Sequence, residues 1–214
     1  CDVTDEQAIN HVRETLTTRW GGVDLVVNNA GIAGTVGRIE DINLEDWKRV
    51  FDINLFGVVR GIKAFTPAFK AQGHGHFVNI ASAAGLLTAP LMSNYNSVKA
   101  GVVSLSETMR IELEASNIHT TLVCPAFFET NLMESMNSEM QDFDMGGKVN
   151  RMMSRSAVTA EDIANSIYDA VLNREFWVVP HKLERRLWMM KRWLPNYFHK
   201  QLSKKSKALI EAGK

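Results

Sequence analysis

Ser82, Tyr95 and Lys99 stand in a Ser-x12-Tyr-x3-Lys spacing, three polar groups of the kind needed around a reducible carbonyl. They lie in the stretch NIASAAGLLTAPLMSNYNSVKAG, which reads as an apolar strand, a small-residue loop and a helix. On that helix Tyr95 and Lys99 are four residues apart and project from one face, a turn apart. An ammonium beside a phenol favours the phenolate, so the expectation is a Tyr95 pKa drawn below the ordinary value of about 10. A tyrosine tuned in that way can act as general acid and base. Tyr-x3-Lys alone is a weak signal, because an exposed polar helix face can carry it.

The elements that must position these groups alternate short apolar runs with longer helical ones, the pattern of a doubly wound parallel sheet. Thr4 and Gln7 have capping-box spacing for a helix ending near Gly21 and Gly22. LVV follows as a strand. Asn43 and Asp46 open a long helix running to about Gln72, with Trp47, Val50, Phe51, Ile53 and Leu55 on its apolar positions. Phe77–Ala81 and Thr120–Cys124 read as strands around the helix Ser93–Ser116. A further helix is expected over Thr159–Asn173 and a last strand over Phe176–Val179. The stretch from Phe127 to Ser156 is rich in Met and Asn and has no clean period.

Four further segments match a known family in order and spacing. DLVVNNAG spans Asp24–Gly31, FDINLFG contains Asn54, HFVNIAS ends at Ser82, and LVCPAFFET runs from Leu122 to Thr130. With Tyr95 and Lys99 they resemble the short-chain dehydrogenase/reductase family from Cys1 to about Pro180. The resemblance implies a Rossmann-like α/β fold and an NAD- or NADP-dependent oxidoreductase that interconverts a secondary alcohol and a ketone. Tyr95 is then the proton donor and acceptor. Lys99 lowers its pKa and binds the nicotinamide ribose, Ser82 orients the carbonyl, and Asn54 holds a water for proton relay. Read without the family, Asn54 is a polar residue beside a helix kink and Ser82 a strand-end turn residue. For the cofactor, the resemblance sets Asp2 and Val3 against the adenine and Asn28, Ala30 and Gly31 at the NNAG turn. Pro125, Phe128 and Thr130 fall at the nicotinamide carboxamide. The family has Pro-Gly where this chain has Pro125-Ala126, a one-methyl departure expected to be tolerated. Relatives pair through the two long helices, so a homodimer or homotetramer is expected.

One part of the pattern is missing. A dinucleotide-binding sheet of this type begins with a strand, a glycine-rich turn and a helix whose N-terminal amides hold the pyrophosphate. No G-x-x-x-G-x-G precedes DLVVNNAG, and CDVT resembles the family's third strand. Two βα units of about 30 residues each are therefore expected to be absent, leaving an unpaired inner edge on the DLVV strand. The residues that choose between NAD and NADP would lie in that stretch.

The chain has 214 residues, 45% of them hydrophobic, enough for one domain with a core of its own. Its 24 basic and 24 acidic residues cancel, which argues against a nucleic-acid partner. The balance is uneven, however: residues 182–214 carry net +8 and residues 1–181 net −8. We read 1–180 as a partial dinucleotide-binding and catalytic domain and 181–214 as a basic amphipathic tail. Arg and Lys alternate in the tail with Leu187, Trp188, Met189, Trp193, Leu194, Tyr197 and Phe198, a pattern suited to a membrane surface, a partner subunit or the acidic body. Two cysteines, Cys1 and Cys124, are too few for a disulfide framework and point to a reducing, cytoplasmic compartment. His74 and His76 read as solvated loop residues, not metal ligands. The methionines at 133, 136, 140, 145, 152 and 153 read as ordinary packing; the resemblance implies that this segment covers the substrate, which would then carry apolar surface, as a lipid-like or cyclic ketone does. The alternative to an enzyme is a truncated, non-catalytic chain acting through protein or membrane contacts.

Overall fold

Residues 1–138, 147, 153, 154 and 156–211 are described in the computed structural model. The elements are α1 (Glu6–Trp20), β1 (Leu25–Asn28), β2 (Thr35–Val36), α2 (Leu44–Phe51), a π-helical turn (Asp52–Phe56) and α3 (Gly57–Gln72). After these come β3 (Gly75–Ile80), α4 (Ala83–Leu87), α5 (Ser93–Leu113), β4 (Ile118–Val123) and β5 (Asn137–Ser138). The chain continues with α6 (Ala160–Leu172), β6 (Trp177–Val178), α7 (Lys182–Trp193) and α8 (Pro195–Glu211). Four strands form a parallel sheet in the order β1-β3-β4-β6, and β2 pairs in parallel with β5 apart from it.

Strand alternation sends neighbouring side chains to opposite faces, and each face receives its own helices. Phe77 and Ile118 pack with Phe65 and Phe69 of α3 and Met109 and Leu113 of α5. Val78, Val123 and Val178 turn the other way, onto Ile163 and Ala170 of α6. Helices on both faces of a parallel sheet make the fold α/β and Rossmann-like, as its sequence pattern indicates. At the end of the sheet β1 pairs with β3, and its Leu25 and Val27 are 41% and 48% exposed. Among the described residues β1 has one strand neighbour, β3.

Three local expectations are corrected. Asp5, not Thr4, caps α1: its carboxylate accepts from Gln7 N at 2.8 Å and Ala8 N at 3.2 Å. Thr4 is diverted, because both its N–H and its hydroxyl donate to Asp2 Oδ1. That same turn means that residues 1–5 are not a strand. His76 lies within β3, buried, with Nε2 2.8 Å from the Thr121 hydroxyl, and burial pushes its pKa down to about 4. His74 is exposed and pairs with Asp24.

The helix predicted from Asn43 to Gln72 is present, with Asn43 accepting from Asp46 N at its start, but it is interrupted by the π turn at 52–56. A π turn widens the helix by one residue and is often found at functional sites. Here it carries Asn54 inward to full burial.

Candidate active site

The loops at the C-terminal ends of β1, β3 and β4 meet α5 around a cavity of about 930 Å3. In open α/β sheets ligand crevices lie at this end of the strands. Ser82, Tyr95 and Lys99 all line it, together with Ala30, Gly31, Pro125, Phe128 and Thr130. Each is set by simple local chemistry. Ser82 caps α4, its Oγ accepting from Ala84 N at 3.1 Å and donating to Pro125 O at 3.4 Å, so one hydroxyl ties the β3 and β4 loops together. Tyr95 and Lys99 come from the first two turns of α5 and are 7% and 4% exposed. Lys99 Nζ donates to Ile80 O at 2.9 Å and stands 5.7 Å from the centroid of the Tyr95 ring.

The electrostatics differ from the sequence expectation. Burial pushes the Tyr95 pKa up to about 12, and a hydrogen bond with Ser82 opposes that only in part. Burial also draws Lys99 down to about 8. Removing a phenolate from water costs more than the Ser82 hydrogen bond returns, so the expected downward shift of Tyr95 is absent. Tyr95 therefore carries its proton at neutral pH.

Asn54 stands beside this cluster without lining the cavity. Its Nδ2 donates to Ile32 O and its Oδ1 accepts from Ile32 N, both at 2.8 Å, clamping the loop after NNAG. A Cβ added at Gly31 would lie 3.3 Å from Asn54 Oδ1 and 3.7 Å from Lys99 Nζ, so glycine keeps the approach to the ammonium open. Asn28 braces the sheet beneath: it donates to Asn79 Oδ1 at 2.8 Å, and Asn79 donates to Ser106 at 3.0 Å. Asp2 and Val3 are not brought to the cavity. Asp2 closes the turn with Thr4, and the Val3 carbonyl accepts from Arg60.

Four contributors were missed in the sequence. His181, read only as the start of the tail, clamps the loop after β4: its Nδ1 accepts from Ala126 N and its Nε2 donates to Phe127 O, both at 3.2 Å. Asn79 and Ser106 were passed over as ordinary strand and helix residues. The tail itself forms a wall, with Leu187, Met190, Phe198 and Leu202 lining the cavity. The i, i+3 step from Leu187 to Met190 was the available signal. Met153 lines the same space and packs with Val36, Leu91 and the partly buried Met136. Met140, Met145 and Met152, and the side chain of Met133, lie outside the described residues.

A parallel sheet flanked by helices, with a serine from the end of β3 and a tyrosine and lysine from α5 at one cavity, places the chain among Rossmann-like α/β proteins. The family model for short chain dehydrogenase matches residues 1–141, and the chain belongs to that family. It is 35% identical over 133 residues to D-beta-hydroxybutyrate dehydrogenase of Rhizobium meliloti, covering 62% of this chain and 51% of that protein. To the 3-oxoacyl-[acyl-carrier-protein] reductase of Synechocystis it is 33% identical over 138 residues, 64% of this chain and 56% of the relative. The chain thus spans about half the length of these two relatives. Among solved structures, a short chain dehydrogenase/reductase from Burkholderia phymatum in complex with NAD superposes with a TM-score of 0.79 at 30% identity, over 89% of this chain and 73% of that one.

Proposed function

We propose that the cavity is the active site of an oxidoreductase interconverting a secondary alcohol and a ketone with NAD or NADP. The observation carrying this reading is that Ser82, Tyr95 and Lys99 line one cavity, with Lys99 Nζ 5.7 Å from the centroid of the Tyr95 ring. The names of the relatives, a dehydrogenase and a reductase, and the NAD in the Burkholderia structure support it.

The residues present fit the nicotinamide end of such a cofactor. Lys99 has three N–H donors and uses one on Ile80 O, so a buried cation with further donors lines the cavity. The open approach at Gly31 and the loop Pro125–Thr130 would hold the ring and its ribose beside it. When bound, the cofactor supplies or accepts the hydride. Tyr95, protonated at neutral pH, gives its phenolic proton to the carbonyl oxygen as the ketone is reduced. Ser82 donates to the same oxygen as negative charge grows there, and Lys99 stabilises the phenolate left behind. In the oxidative direction Tyr95 takes the proton back. The wall formed by Leu87, Met92, Phe127, Leu187, Met190 and Leu202 excludes water and favours a largely apolar ketone.

Copies would pair through α2–α3 and α5, which expose Leu44, Phe56 and Ile111. The test is nicotinamide fluorescence on mixing with NADH and NADPH, followed by turnover on cyclic and long-chain ketones and on small charged keto acids. Binding and preference for the apolar ketones support the reading. Failure to bind either nucleotide favours a non-catalytic chain, and preference for small charged substrates removes the apolar assignment.

A further inference from the structure

The helix pair that walls the cavity has a second side. Inward, α7 and α8 are anchored: Trp188 packs tilted against Trp177 with centroids 4.7 Å apart, Lys191 Nζ donates to Leu86 O at 2.7 Å, and Phe198 is buried. Outward, Lys182, Arg185, Arg186, Met189 and Trp193 recur at steps of three and four residues, all exposed, and Lys200 and Lys204 continue the basic face on α8. Among the described residues, none of Lys182, Arg185, Arg186, Lys200 and Lys204 takes part in an ion pair. The large hydrophobics exposed on this face cluster as well. Of the fourteen in the described chain, five fall between Leu183 and Tyr197: Leu183, Met189, Trp193, Leu194 and Tyr197. All of residues 192–197 are exposed, so the corner where α7 meets α8 protrudes.

We infer that the outer face of α7–α8 is a docking surface for an anionic lipid bilayer. Cations flanking an exposed Trp, Leu and Tyr are the groups that settle at the headgroup boundary, with aromatic rings at the interface and ammonium groups on lipid phosphates. A protruding corner fits a deformable surface, whereas a protein partner would need a matching groove. The charge asymmetry orients the contact, because the tail carries net +8 and the rest of the chain net −8, which an anionic surface repels. No helix among the described residues is long and apolar enough to cross a membrane, so the pair would lie on it. If the cavity takes an apolar ketone, as proposed above, the element bearing on the bilayer is also a wall of the site.

Flotation of the full chain with vesicles tests this without turnover, so its failure and that of the oxidoreductase reading are distinguishable. Vesicles of phosphatidylcholine with about one third phosphatidylglycerol should carry the protein up a density gradient, and pure phosphatidylcholine should not. Salt near 1 M should release it. Lys200→Gln combined with Lys204→Gln should lower partitioning about thirtyfold, at about fivefold per cation near the surface. Trp193→Ser, at a position 77% exposed and therefore safe for folding, should weaken it independently. Flotation with neither vesicle, equal flotation with both, or no effect of either variant would overturn the inference. So would self-association that the same substitutions abolish, which would assign the face to a second copy.

Discussion

Replacing Lys99 with methionine separates stability from proton chemistry. Lys99 is 4% exposed and its pKa falls from 10.5 to about 8, chiefly through desolvation. At about 1.4 kcal/mol per unit, keeping the buried ammonium charged at neutral pH costs the fold about 3 kcal/mol. Methionine removes that cost and loses the bond to Ile80 O, worth about 1 kcal/mol. The variant is then more stable by about 2 kcal/mol, a rise in Tm of about 4–8 °C for a chain of this size. The pH dependence fixes the cause. Between about 8 and 10.5 the unfolded lysine holds a proton that the folded one has released, so wild-type stability rises with pH through that window. The variant lacks this gain, and its advantage disappears and reverses as the pH approaches 10.5. Tyr95, raised to about 12, loses stability above pH 10 in both chains and cancels from the difference. Urea unfolding of the two proteins from neutral pH to about 10.5 measures the effect. A difference that is flat with pH, or a variant less stable at neutral pH, would refute the reasoning.

Other substitutions read separate parts of the site. Tyr95→Phe should lower kcat by about 10^2 to 10^4 in a ketone-reduction assay while nicotinamide fluorescence still reports binding. Asn54→Ala strips a backbone N–H and a carbonyl of Ile32 of their buried partner and should cost about 3 kcal/mol in thermal or urea unfolding. His181→Ala frees Ala126 N–H and Phe127 C=O and should raise the KM for the nucleotide about tenfold, read by titration at saturating ketone. Gly85→Ala would set a methyl 2.7 Å from the Lys99 backbone carbon, and the overpacking should cost about 1–3 kcal/mol in the same unfolding assay.

The legible parts of this chain were those fixed by local pattern. Apolar runs with turn signals located β1, β3 and β4 to within two residues, and Asn43 marked the start of α2, because caps and periodicity act within a few residues. The Ser82, Tyr95 and Lys99 set was legible because two of its members share a helix face. What depended on distant contacts was not. The Tyr95 shift went the other way because a sequence shows the neighbouring charge but not the desolvation. The packing of the Val3 side chain on the α3 side of the core joins residues far apart in the chain. The hydrogen bonds of His181 span 54 and 55 positions, a separation no local pattern records. The tail read as surface because its inner stripe, Leu187 and Met190, meets partners brought there only by the fold.

Hydride transfer at this cavity is tested most directly by following a label. Nicotinamide cofactor deuterated at its transferable position is incubated with the protein and an apolar ketone, and the alcohol is analysed by mass spectrometry. The account predicts deuterium on the carbinol carbon with the wild-type protein and formation of that labelled alcohol about 10^2 to 10^4 slower with Tyr95→Phe at equal nucleotide occupancy. Unlabelled alcohol from the wild type, or labelled alcohol formed by the Tyr95→Phe variant at the wild-type rate, would contradict it.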